Sequence, residues 1–151
     1  MQLEDAATIL SRADFFEICN AEQRRLLAFA SERRRHPGGA TIYKGGDVSD
    51  GAHVLVSGTV TVATEGVGEG NPRIVNQSGV VLGAMALFVA KPRPVTVTAV
   101  DSVETLFVPR TAFMKLAKQF PDMAARAAKR IERDVRGYLG AVDQVGKRIA
   151  K

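Results

Sequence analysis

The chain has 151 residues, 46% hydrophobic and 25% charged, with one cysteine and a formal charge of +5. That length suits one domain with a packed core, and the composition excludes a disordered, collagen-like or disulfide-stapled chain. The lone Cys19 excludes an intramolecular disulfide and a thiolate metal cluster, in keeping with a reducing compartment.

The first zone, residues 1–35, reads as helical. It opens MQLED, with two acids and no base, unlike a secretory leader, so a cytoplasmic, soluble protein is expected. Leu10, Phe15, Phe16 and Ile18, then Leu26, Leu27, Phe29 and Ala30, recur at helical spacing. Asn20 and Gln23 form a capping-box pair for the second helix, and Pro37 with Gly38-Gly39 closes the zone. Cys19 sits beside Phe16 and Ile18 and reads as a small core residue.

The second zone, residues 36–109, is rich in glycine and in runs of period two. Thr59–Thr64, Val95–Ala99 and Leu106–Val108 suit strands, with turn signals between them at Gly45-Gly46-Asp47, Ser57-Gly58 and 68–72. Short strands at this spacing predict a β-barrel or β-roll. The Gly66–Gly70 stretch GVGEG is a hairpin loop rather than a dinucleotide fingerprint, because no helix follows it. His53 lies in a strand and is expected to point outward, and His36 sits beside a turn. Neither has metal-ligand company. The longest apolar run, Gly79–Ala90, has 12 residues and is too short to cross a membrane, which takes about 18.

The third zone, residues 110–151, turns helical again and is split by Pro121. It holds 11 basic and four acidic residues, so the basic character of the chain lies here. Ala124, Ala128, Ile131, Val135, Tyr138, Val142, Val145 and Ile149 step by four and three, a heptad seam of 26 residues or about 38 Å. The α–β–α order in one domain's length predicts an α+β fold.

No triad, paired carboxylates or metal set emerges, so no catalytic residue, metal or cofactor is expected. The segment from Asn76 to Ala99 carries the chemistry. It reads as a strand end, a glycine-bounded helical turn at Gly83-Ala84-Met85-Ala86-Leu87, a loop holding Arg93-Pro94-Val95, and another strand. Free N–H groups and one arginine suit an oxyanion. Packing of Met85, Leu87 and Phe88 into a core explains the same residues equally well.

At these residues the chain resembles the cyclic nucleotide-binding domains of catabolite activator proteins, kinase regulatory subunits and gated channels. Gly39–Asp47 is similar to the family's G-x-x-I-x-x-x-G-D turn. Asp50, Leu55, Ser57-Gly58 and Val60 match its next stretch. Gly83–Leu87 resembles its phosphate-binding G-E-[LM]-A-L, and Arg93 stands where its phosphate-binding arginine stands. The resemblance covers roughly residues 10–140. It implies an eight-stranded antiparallel β-roll flanked by N-terminal helices and a long C-terminal helix that dimerises.

The chain also departs from that pattern. Ala84 replaces the glutamate that accepts from the ribose hydroxyl, Pro94 removes a backbone N–H, and Val95 adds bulk where alanine is usual. A hydrogen bond to a charged partner contributes about 1.5–3 kcal/mol, so losing two costs roughly two to four powers of ten in affinity. The expectation is a regulatory or scaffold module with weak or lost cyclic-nucleotide affinity, the alternative a sensor with an atypical site. A homodimer along Ile131, Val135, Tyr138, Val142 and Val145 is expected. Its downstream partner has no sequence signature. With the chain ending at Lys151, no helix-turn-helix, no sequence-specific nucleic acid and no membrane are expected.

Overall fold

The computed structural model describes residues 3–64 and 72–133. Helix α1 spans Leu3–Arg12, a 3-10 turn Asp14–Ile18 follows, and α2 spans Ala21–Ala30. The capping box at α2 forms as expected: Asn20 accepts from the Gln23 N–H at 2.8 Å, and Gln23 accepts from the Asn20 N–H at 2.8 Å.

Eight strands follow: β1 Glu32–His36, β2 Thr41–Tyr43, β3 Gly51–Ser57, β4 Val60–Thr64, β5 Arg73–Val75, β6 Val81–Leu82, β7 Val95–Ala99 and β8 Val103–Pro109. They form two four-stranded antiparallel sheets, ordered β1-β8-β3-β6 and β2-β7-β4-β5. Helix α3 spans Arg110–Gln119, and α4 runs over 121–133 after Pro121. The α+β fold and the β-roll are those expected. The hairpin expected at 66–70 lies outside the described residues, between β4 and β5, which pair antiparallel.

Two corrections arise here. The roll begins at Glu32 rather than at 36, because 32–36 is strand and not a helix end. Pairing decides it: Glu32–His36 lies against Phe107–Val103 of β8. Arg33 reaches Glu104, Arg34 covers the Phe107 ring at 3.9 Å, and His36 meets the Thr105 hydroxyl at 3.1 Å. Cross-strand partners outweigh the poor strand propensity of an arginine run.

The second correction is His53, which is only 3% exposed and points into the roll. Strand β3 has no solvent face. Ala52 and Val54 pack into the helix-side core with Leu10, Phe16, Leu27 and Phe113, while Leu55 packs inside the roll with Val60, Leu82 and Val97.

Helix α4 docks on the N-terminal segment. Met123 and Ala127 are buried, Ile131 packs against the same core, Arg126 donates to the Ile18 carbonyl at 2.9 Å, and Arg130 pairs with Asp14 at 2.5 Å. Cys19 is buried as expected. Its thiol lies 3.5 Å from the Met123 sulfur, and burial raises its pKa to about 11. The seam positions Val135, Tyr138, Val142 and Val145 lie outside the described residues. Among the described residues no helix is long and apolar enough to cross a membrane.

Candidate functional site

The turn at Lys44–Asp47 is closed by the Asp47 N–H on the Lys44 carbonyl at 3.0 Å, with Gly46 at φ 92°. That positive φ is why glycine stands there. The turn holds the strand of chain that carries Arg93. The Gly46 N–H donates to the Arg93 carbonyl at 2.9 Å, the Arg93 N–H to the Asp47 carbonyl at 2.8 Å, and the Gly45 N–H to Thr96 Oγ1 at 2.8 Å. Arg93 is thereby strapped on its backbone, and its side chain turns inward to 8% exposure.

Strand β6 ends at Gly83, which has φ 78° and caps a 3-10 turn, Ala84–Leu87. The positive φ is why glycine stands there, and a Cβ at position 83 would push the end of the Arg93 side chain aside. The guanidinium also lies 4.9 Å from the centre of the Tyr43 ring and hydrogen-bonds its hydroxyl. Arg93 Nε is buried with no acceptor, and no carboxylate pairs with this arginine among the described residues. A nearly buried cation left in this state favours an anion beside it.

The sequence-predicted residues divide into two groups. Gly83 and Arg93 are brought into contact. Val95 packs against the roll interior, and Pro94 is exposed. Ala86 and Leu87 are buried in the helix-side core, and Phe88 packs edge-on against Phe113 at 5.3 Å and Phe15 at 6.3 Å. Ala84 borders that core, while Met85 is exposed. The core-packing expectation thus holds for Leu87 and Phe88 but not for Met85, which the 3-10 turn leaves on its outer side, while Gly83 at the head of the turn meets the Arg93 guanidinium.

Three residues of the site escaped the sequence reading. Arg110 donates to the carbonyls of Ser49 at 2.9 Å and Ala86 at 3.1 Å, clasping the 3-10 turn to the start of β3. Tyr43 carries Arg93 on its ring. His53 stacks beneath Tyr43, at 6.0 Å and 26° between planes. Its Nδ1 lies 3.3 Å from the Thr105 hydroxyl, which His36 also meets. Burial first, then the charges of Arg34, His36 and Arg93, lower the His53 pKa to about 3. Tyr43 is pushed up by burial, against the hydrogen bond and charge of Arg93. Tyr43 lies inside the Gly39–Asp47 motif, but nothing there marked its side chain as part of the site. Nothing in the sequence marked Arg110.

The comparisons with known proteins agree with this geometry. The family model for the cyclic nucleotide-binding domain matches residues 33–120. A structure of a cyclic nucleotide-binding-like protein from Brucella abortus shares 32% identity at a TM-score of 0.65, covering 76% of this chain and 98% of that one. Cyclic nucleotide-gated potassium channel mll3241 of Mesorhizobium japonicum is 34% identical over 95 residues, 63% of this chain and 25% of the channel. Lysophospholipase nte1 of Aspergillus terreus is 28% identical over 113 residues, 74% of this chain. The chain spans only 7% of that protein's length.

Proposed function

Because the chain belongs to the cyclic nucleotide-binding domain family, we propose that it is a non-catalytic, cytoplasmic regulatory or scaffold module with weak or lost cyclic-nucleotide affinity and a retained attraction for anions. One observation carries the reading. Arg93 is 8% exposed, strapped in place and without a carboxylate among the described residues, while its neighbour Pro94 has no N–H to add. The family's phosphate arginine is thus kept, and the groups that complete the ligand's recognition are not: Ala84 offers the ribose no acceptor. Two missing hydrogen bonds to charged partners, at about 1.5–3 kcal/mol each, turn a micromolar site into a weak millimolar one.

Calorimetric titration with cyclic AMP and cyclic GMP tests this. The expected dissociation constants lie well above about 10 μM. Tighter binding overturns the reading and establishes the second one, a sensor with an atypical site. The preset Arg93 favours that second reading, and the channel relative is named as cyclic nucleotide-gated. The double change Ala84→Glu with Pro94→Ala is expected to recover binding.

The module is further proposed to dimerise along Ile131, Val135, Tyr138, Val142 and Val145. What supports this is the heptad seam. Within the described residues α4 spends Met123 and Ala127 on its own domain, Ile131 packs against the same core and Ala128 is exposed, so the proposed interface rests on the seam from Val135 onward, which lies outside the described residues. Light scattering checks it. A wild-type dimer is expected, with a monomer on Val135→Glu plus Val142→Glu. A wild-type monomer at about 100 μM, or an unchanged mass on that substitution, refutes it.

A further inference from the structure

We propose that Tyr43 is the second donor of the anion site at Arg93, so that phenol and guanidinium together take a compact oxyanion of the phosphate class. This deepens the reading of Arg93 as an anion trap and rests on it.

The geometry supplies the donors. Arg93 lies with its Cζ 4.9 Å from the Tyr43 ring centre and gives an N–H to the Tyr43 hydroxyl. A phenol that accepts there keeps its own proton to give. Arg93 Nε is buried and lacks an acceptor. Two adjacent donors with protons to give, one on a cation, form a fork that a tetrahedral oxyanion satisfies. Burial raises the phenol's pKa, so Tyr43 holds its proton at neutral pH.

The fork is rigid from behind. Tyr43 pairs through its backbone with Val97 on β7, its ring stacks on His53, and the Thr105 hydroxyl holds His53. On the other side, the missing side chain of Gly83 makes room for the guanidinium. Ala84 and Pro94 add neither an acceptor for a sugar hydroxyl nor a further N–H. The site therefore rewards the oxyanion itself rather than a nucleoside attached to it.

The test uses the full chain with Tyr138→Phe, which leaves Tyr43 as the only tyrosine of two. The probe is inorganic phosphate, followed by calorimetry. Tyr43→Phe, which keeps the ring, is expected to weaken phosphate binding about tenfold. Arg93→Gln is expected to abolish it. A second measurement leaves Tyr43 intact. The phenol's ionisation, followed by near-ultraviolet absorbance against pH, is expected to shift to higher pH when phosphate is saturating, because a bound anion disfavours the phenolate.

Unchanged phosphate affinity in Tyr43→Phe, or a phenol titration that saturating phosphate does not move, overturns the role of Tyr43 and leaves Arg93 as the anion site. Phosphate binding that survives Arg93→Gln, or no binding by the parent chain, overturns the Arg93 reading and this one with it.

Discussion

Replacing His53 by glutamine should remove much of the protein's sensitivity to acid. The imidazole is neutral in the fold, with a pKa of about 3 against an ordinary 6.5. The groups whose charge acts on it are the cations Arg34 and Arg93 and, once it takes a proton, His36. Its other neighbours are Tyr43, Phe107 and Thr105. Protonation inside the fold would bury a positive charge beside Arg34 and Arg93, so the proton goes to the unfolded chain instead. Below pH 6.5 the unfolded state binds more protons than the folded one. Stability therefore falls as pH falls, and the loss from this group stops near pH 3, where both states are protonated. Each pH unit inside that window costs about 1.4 kcal/mol, so the step from pH 7 to pH 4 removes on the order of 3 kcal/mol. That is a large share of the roughly 5–15 kcal/mol that holds a domain of this size together.

Urea unfolding at pH 7, 5 and 4 measures it, with parent and His53→Gln run side by side. Glutamine can still meet the Thr105 hydroxyl but does not titrate. The variant is expected to start less stable at pH 7 and to lose about 3 kcal/mol less than the parent by pH 4. His36, also lowered by burial and by Arg34, and the carboxylates are common to both proteins and cancel in the difference. Parallel stability curves for the two proteins would refute the reasoning, for they would mean that His53 is not the group held neutral.

Gly83→Ala forces a side chain into φ 78° and against the Arg93 guanidinium. Expected are a loss of roughly 1–2 kcal/mol of stability in urea and a loss of phosphate binding by calorimetry. Asn20→Ala removes one arm of the capping box and should cost about 1 kcal/mol, read as a drop in the thermal midpoint. On α2, Leu27→Ala should cost about 2–5 kcal/mol, whereas Phe29→Ala, at a side chain 70% exposed, should stay within about 0.5 kcal/mol. A thermal denaturation series that failed to separate these two variants would contradict the packing described for this helix.

Local rules made much of the molecule legible before any coordinates. The capping box at Asn20 and Gln23, the break at Pro121, the α–β–α order and the glycine-bounded turn before Arg93 are all set by residues a few positions apart. Short-range hydrogen bonding and backbone sterics decide such features, and these are written in neighbouring residues. The run of motifs from Gly39 to Arg93 identified the family for the same reason, since each motif is local even though the site they build is not.

What the sequence could not decide were contacts between residues far apart in the chain. Glu32–His36 becomes a strand because Val103–Phe107 lies beside it. His53 turns inward because β3 is covered on both faces, by helices on one and by the roll on the other. Alternation assigns faces only where one face meets water. Arg110 clasping Ala86, and Tyr43 lying under Arg93, join residues 24 and 50 positions apart, and their side-chain chemistry is ordinary until the fold brings them together. Sequence alone thus settled the family and the arginine, while only the tertiary structure determined that this arginine is buried, unpaired by any described carboxylate and backed by a phenol. Burial and partners are properties of the packed chain, and they govern the charge balance at this arginine.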